Sequence, residues 1–213
     1  MYAPINIDEH EFMLRPMTCP HHFQIYSDRP RSYRELPMRI AELAKLYRYE
    51  GSGELSGLVR VRSFCLADAH IICADKNQAA QEVDKALDLI EYIASVFGLT
   101  LGENYSYRLS LGDRADDKKY YKNDTAWNEG EEMLRSVLKN RKGAFVEAAG
   151  EAAFYGPKID IQMKDARGKE NTAFTVQYDF CMPDRFNLTY VTSDGSEQRP
   201  VVVHRSSIGA IER

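Results

Sequence analysis

Cysteine is sparse and scattered in this 213-residue chain. The four cysteines, at 19, 65, 73 and 181, form no CxxC pair. That argues against a disulfide scaffold and suits a reducing compartment. No apolar run reaches the ~18 residues of a membrane span, so no membrane partner is expected. The opening "MYAPINIDEHEF" is neither basic nor apolar, so no signal peptide is expected and the localisation read is cytoplasmic. Internal repeats and low-complexity tracts are missing. So is a Gly-rich phosphate loop of the Rossmann or Walker kind, and a bound nucleotide must therefore be held another way. Positive charge is not in excess either. A net charge of −4 excludes a general nucleic-acid coat while leaving room for local basic patches.

What is present is enough for a core. The hydrophobic content is 44%, and the length suits one large domain or two small ones. "CPHHFQIYSD" reads as a short helix, with Pro20 in the first turn where its missing N–H costs nothing. Ser32 and Glu35 match a capping box, and Pro37 keeps any helix there short. "MRIAELAKLYRYE" has helical composition, yet it runs into "YRYEGSGELSGLVRVRSF". There, two β-prone segments flank a Gly/Ser-rich loop, which signals a hairpin. The loop at 51–58 exceeds a tight turn, and longer loops are often functional. "ADAHIICA" continues as a strand. "NQAAQEVDKALDLIEYIASVFG" is the clearest helix, with Val83, Leu87, Ile90, Ala94 and Phe97 on one face and Gly98 as its stop. "NYSYRLSLG" reads as a strand, and "DTAWNEGEEMLRSVLKNRKG" as a second amphipathic helix carrying Trp127, Leu134, Val137 and Leu138. "KIDIQMKD", "NTAFTVQYDF", "FNLTYVTSD" and "RPVVVHRS" read as four more strands. The expected class is α+β, an antiparallel sheet with helices on one face. The chain closes on "SSIGAIER", a helix-like pattern cut off in progress, so an excised piece of a larger protein is expected.

"RPMTCPHHFQIY" places Cys19, His21 and His22 close together. Lone histidines follow at 70 and 204, both in strand-like segments. A Cys19/His70/His204 set suits tetrahedral zinc with one open position. The gaps of 51 and 134 residues leave no local signature, and each histidine reads equally as a core residue. His21 and His22 are rival ligands. On a helix starting at Pro20 they point away from Cys19, which favours capping or packing. Arg48, Arg60, Arg62, Arg205 and Arg213 lie in or beside strands, where guanidinium groups suit phosphate oxygens or a salt-bridged edge. Glu50 shares a strand face with Arg48 and reads as its ion-pair partner. Asp68 shares a face with His70; such a carboxylate orients a substrate ammonium or holds the imidazole. In "EAAFYGPKID", Tyr155 precedes a Gly-Pro turn and Lys158.

Taken in order, "RPMTCPHH", "YRYEGSGELSGLVRVRSFCLADAHI", "AAFYGPKID", "TVQYDF" and "VVVHRSSIGAIER" resemble the catalytic core of class II threonyl-tRNA synthetases, over about residues 10–213. Residues 40–72 resemble motif 2 of that class, and 200–213 the start of motif 3. The resemblance implies a truncated catalytic core spanning 1–213, with motif 1, the editing domain and the anticodon-binding domain outside it. It implies a class II antiparallel sheet flanked by helices, and ATP-dependent activation of threonine followed by transfer to tRNA(Thr). Zn2+ would be held by Cys19, His70 and His204, and its open position would take the amino group and hydroxyl of threonine. Arg48 would grip the α-phosphate and carboxylate, Glu50 the adenine amino group, and Phe64 would stack on the ring. Arg60 and Arg213 would hold the outer phosphates, with Mg2+ accompanying ATP. Asp68, Tyr155, Gln177 and Lys158 would line the threonine pocket. The 51–58 loop would touch the tRNA acceptor end, and the full-length protein would be a homodimer.

Thr18 and His21 stand where the family commonly has Asn and Gly, Leu66 and Thr172 where it often has Gln, and Ala210 where it often has Ser. These departures, all near the pocket, keep two further readings open. One is a synthetase-like binding module without activity. The other is a zinc-stabilised structural domain whose fourth ligand is His21 or His22.

Overall fold

The computed structural model describes residues 1–141, 144–165 and 168–213. An exposed hairpin opens the chain, β1 (Ile5–Ile7) on β2 (His10–Phe12). Helix α1 (Cys19–Tyr26) follows, then a capped 3-10 turn at Tyr33–Glu35. The main strands are β3 (Met38–Tyr47), β4 (Ser63–Cys73), β5 (Tyr105–Leu111), β6 (Phe145–Ala149), β7 (Lys158–Lys164) and β8 (Glu170–Asp179). Helices α2 (Lys76–Val96), α3 (Asp124–Asn140) and the short α4 (Met182–Arg185) lie between or after them. The two-residue strands β9 (Tyr190–Val191) and β10 (Glu197–Gln198) pair with each other, and β11 (Val201–Ala210) ends the order.

Seven strands form one sheet in the order β3-β4-β11-β8-β7-β5-β6. All neighbours are antiparallel except β5 and β6. The expected antiparallel sheet is therefore mixed at one edge. Parallel neighbours need a crossover, and α3 lies between β5 and β6 in the chain. Strand β6 itself carries no strong sequence signal and was not expected.

"MRIAELAKLY" resolves as strand. Its ten residues pair with β4 from Met38–Ile72 to Tyr47–Ser63. Helical composition loses because propensity is worth only tenths of a kcal/mol per residue, less than a full ladder and its packing.

Alternation then assigns the faces. Ile71 and Cys73 of β4, Val203 of β11, Phe174 and Val176 of β8, and Ile159 and Ile161 of β7 point to α2 and α3. Those helices answer with Val83, Leu87, Ile90, Leu134 and Leu138, all fully buried. Each such side chain contributes roughly 1.5–3 kcal/mol of burial. Asp75 caps α2 by accepting from the Gln78 amide at 2.8 Å, and Gly98 ends it at φ 70°. Phe97, expected on the buried face, sits at the C-cap and is exposed. Helix α3 is capped by Asn123, and Lys142 and Gly143, expected at its end, lie outside the described residues.

The opposite face carries a second cluster of Phe23 and Tyr26 from α1 with Ile72, Val202, Leu188 and Tyr190. Helices thus flank both faces, not one. "FNLTYVTSD" contributes only the two residues of β9, since Asn187 bends at φ 50° before it. "SSIGAIER" is not a helix. It extends β11 to Ala210 through a register shift and closes in a turn. Among the described residues, no helix is long and apolar enough to cross a membrane.

Candidate metal and substrate site

Register builds the floor of the site. His70, His204, Gln177 and Lys158 stand directly opposite one another on β4, β11, β8 and β7. Two residues along, Asp68, Ser206, Thr175 and Asp160 form a second row. Side chains two apart share a face, so both rows face away from the α2/α3 core.

Helix α1 lays Cys19 over the first row. Cys19 Sγ lies 3.1 Å from His70 Nε2 and 3.8 Å from His204 Nδ1. All three donor atoms fall within 4.8 Å of one another. Tetrahedral zinc with ordinary bond lengths places sulfur and nitrogen about 3.6 Å apart, so the set fits that ion. The other ring nitrogens are held too. His204 Nε2 meets Asp179 Oδ2 at 2.7 Å, and His70 Nδ1 meets His22 Nδ1 at 2.8 Å. A metal-bound imidazole is commonly held through its second nitrogen in this way. Burial, with His204 and His22 adding to it, pushes His70 well below its ordinary pKa and keeps it neutral. At His204 burial also opposes charge, but Asp179 and Cys19 outweigh it and raise the pKa to about 10. A metal binding there must therefore displace a proton. His21 is exposed, and His22, expected to point away from Cys19 into a capping or packing role, is buried against His70. The only such Cys/His/carboxylate group among the described residues is this triad.

The part of the cleft around Asp68 and Tyr155 is also ordered. Buried Thr18 donates its hydroxyl to Asp68. The Tyr155 ring stacks on His204 at 4.8 Å and 21°, and its hydroxyl donates to Gln177. Burial pushes the Tyr155 phenol well above its usual pKa, so it stays a donor. Lys158 is tied to buried Asp160 at 2.9 Å, which Arg108 also meets at 2.9 Å.

Arg48 and Glu50 lie beyond the end of β3, so they do not share a strand face. Glu50 pairs with Arg60 at 3.1 Å, not with Arg48. Arg48 donates to the Pro16 carbonyl at 3.3 Å and lies over the Phe64 ring at 5.2 Å. Arg213 follows the turn that closes β11. Its guanidinium donates to the Thr172 carbonyl at 3.0 Å, and burial lowers its pKa.

One cleft of about 1180 Å³ is lined by Cys19, His70, His204, Arg48, Glu50, Arg60, Phe64, Asp68, Tyr155, Lys158, Gln177 and Arg213. The departing residues Leu66, Thr172 and Ala210 line it as well. Sequence reasoning missed Asp179 and Asp160. Asp179 sits two residues after Gln177, so strict alternation along "TVQYDF" places both on one face.

The tRNA synthetase class II core domain model (G, H, P, S and T) matches residues 3–213. The threonine–tRNA ligase of Staphylococcus carnosus is 48% identical over 214 residues, which is 100% of this chain and 32% of that protein. Its Staphylococcus aureus counterpart is equally identical, with 33% of its length covered. The chain spans about a third of the curated relatives it matches. A crystal structure of the RNA binding domain of threonyl-tRNA synthetase from Cryptosporidium parvum superposes with a TM-score of 0.87 at 39% identity, covering 99% of this chain and 51% of that one. A putative threonyl-tRNA synthetase from Aeropyrum pernix follows at 0.84 and 33%, covering 99% and 48%.

Proposed function

This chain belongs to the tRNA synthetase class II core family, and on that premise we propose that it is of the threonyl branch and houses the site where threonine is activated and passed to tRNA(Thr). The observation that carries this reading is the Cys19–His70–His204 triad opening into the same cleft as Arg48 and Arg213.

The threonine carboxylate attacks the α-phosphorus of ATP, pyrophosphate leaves, and a mixed anhydride forms. A ribose hydroxyl at the tRNA acceptor end then takes the threonyl group, and AMP leaves. No side chain acts as nucleophile, so the protein supplies position and charge stabilisation, with Mg2+ accompanying ATP. Among the described residues Arg48 is held by one carbonyl and one ring face, which leaves it able to turn onto the α-phosphate. Arg60 and Arg213 take the outer phosphates, while Glu50 and Phe64 take the adenine. Asp68, aimed by Thr18, accepts from the N–H of the substrate amino group, with Tyr155 beside it. When bound by Cys19, His70 and His204, zinc supplies a Lewis-acid position for the amino group and hydroxyl of threonine. Valine leaves that position without its hydroxyl, and a site built around a hydroxyl rejects such an analogue strongly.

ATP–pyrophosphate exchange on the intact protein tests this. Threonine-dependent exchange with valine turned over far more slowly is expected. No threonine-dependent exchange would leave a synthetase-like binding module in its place.

A further inference from the structure

One buried histidine is used by no step above. His22 lies on α1 three residues after Cys19 and is 2% exposed. Its Nδ1 lies 2.8 Å from His70 Nδ1, the two rings meeting edge-on at 86°. Its Nε2 faces Glu42 Oε2 at 3.6 Å. Glu42 is in turn held by Arg15.

Proton bookkeeping makes this contact directional. A nitrogen–nitrogen contact at that length needs one proton between the two atoms. His70 presents Nε2 to Cys19 Sγ. A neutral imidazole that binds a metal through Nε2 carries its proton on Nδ1. His70 Nδ1 must then donate, and His22 Nδ1 must accept. The His22 proton is left on Nε2, the nitrogen that faces the Glu42 carboxylate. His204 is arranged the other way, with Nδ1 toward Cys19 and Nε2 toward Asp179. The two histidines thus offer different nitrogens, and each has its own partner.

We propose that His22 is a positioning residue for the metal centre: by accepting from Nδ1 it fixes His70 in the tautomer and ring orientation that binds through Nε2. This rests on the zinc reading of the triad. It assigns His22 a role beyond packing and removes it from the ligand set.

The test is zinc affinity of the intact protein, by chelator competition, with the visible spectrum of the cobalt form as a second readout. His22→Leu keeps bulk without an acceptor. His22→Asn keeps an acceptor oxygen near the place of Nδ1. We expect His22→Leu to weaken zinc by about 10–100-fold and to shift the cobalt spectrum. His22→Asn should stay within about threefold of wild type on the same scale. Wild-type affinity in His22→Leu overturns the assignment, and so does equal weakening in both variants. If circular dichroism shows that His22→Leu does not fold in excess zinc, His22→Asn decides alone, and a larger loss overturns the assignment. A wild-type protein that takes up no zinc overturns the zinc reading itself, which is a separate outcome.

Discussion

Gly156 is where backbone and site meet most closely. A Cβ added there would lie 1.8 Å from the Tyr178 carbonyl oxygen and 2.9 Å from its carbon. An ordinary carbon–oxygen contact is about 3.3 Å, so Gly156→Ala forces the two segments about 1.5 Å apart. Neither side yields easily. The Pro157 carbonyl accepts from the Tyr178 amide at 3.0 Å, and the Pro157 ring locks its own φ. Lys158 is already registered against Gln177. The displaced parts belong to the proposed site. Tyr155, one residue before, stacks on His204; Asp179, one residue after Tyr178, holds the far nitrogen of His204. Overpacking of this kind costs about 1–3 kcal/mol, and a 1 Å misplacement of a positioned group costs about 100-fold in rate. The expected outcome is a lower urea midpoint together with a drop in threonine-dependent kcat/KM of about that size. An unchanged midpoint would refute the steric argument. A lower midpoint with unchanged threonine kinetics would refute the coupling between this turn and the site.

Three further outcomes are expected. His204→Ala should release zinc from the purified protein while His21→Ala retains it, as read by metal analysis; the reverse pattern removes His204 from the ligand set. Arg48→Ala should lower threonine-dependent exchange by at least about 100-fold without changing zinc content, and activity within about threefold of wild type refutes its bridging role. At Glu82 burial opposes charge, yet Arg39 at 2.7 Å and Lys85 at 2.9 Å outweigh it and hold the carboxyl below its ordinary 4.5. A folded pKa below the unfolded one gives stability that is present above about 4.5 and lost as pH falls through the folded value. The urea midpoint should therefore fall as the pH is lowered below the ordinary 4.5, and Glu82→Gln should flatten that dependence. An equal slope in both proteins would count against it.

Local order was legible in the residues. The 3.6-residue period and the Gly98 stop defined α2, Ser32 and Glu35 defined their capped turn, and short β-prone segments marked β4, β7, β8 and the body of β11. Those signals depend on neighbours three or four positions away, so one chain carries them in full. The site candidates were legible only through their order, which resembles that of a family. Their chemistry depends on contacts at long separation. Cys19, His70 and His204 meet because β11 pairs with β4 at His204–His70 while α1 packs on that same face. The partner of Glu50 turned out to be Arg60, because the chain leaves strand geometry after Tyr47 and frees both side chains to turn. The end of β11 looked helical because short apolar runs carry no decisive period. Pairing settled it, through the Cys65 carbonyl taking the Ile211 amide and the Ala173 carbonyl packing under Gly209. Which nitrogen of each histidine faces Cys19 was likewise beyond composition or spacing. The other nitrogens meet Asp179 and His22, whose places follow from strand register and helix packing, which exist only once the whole sheet has formed.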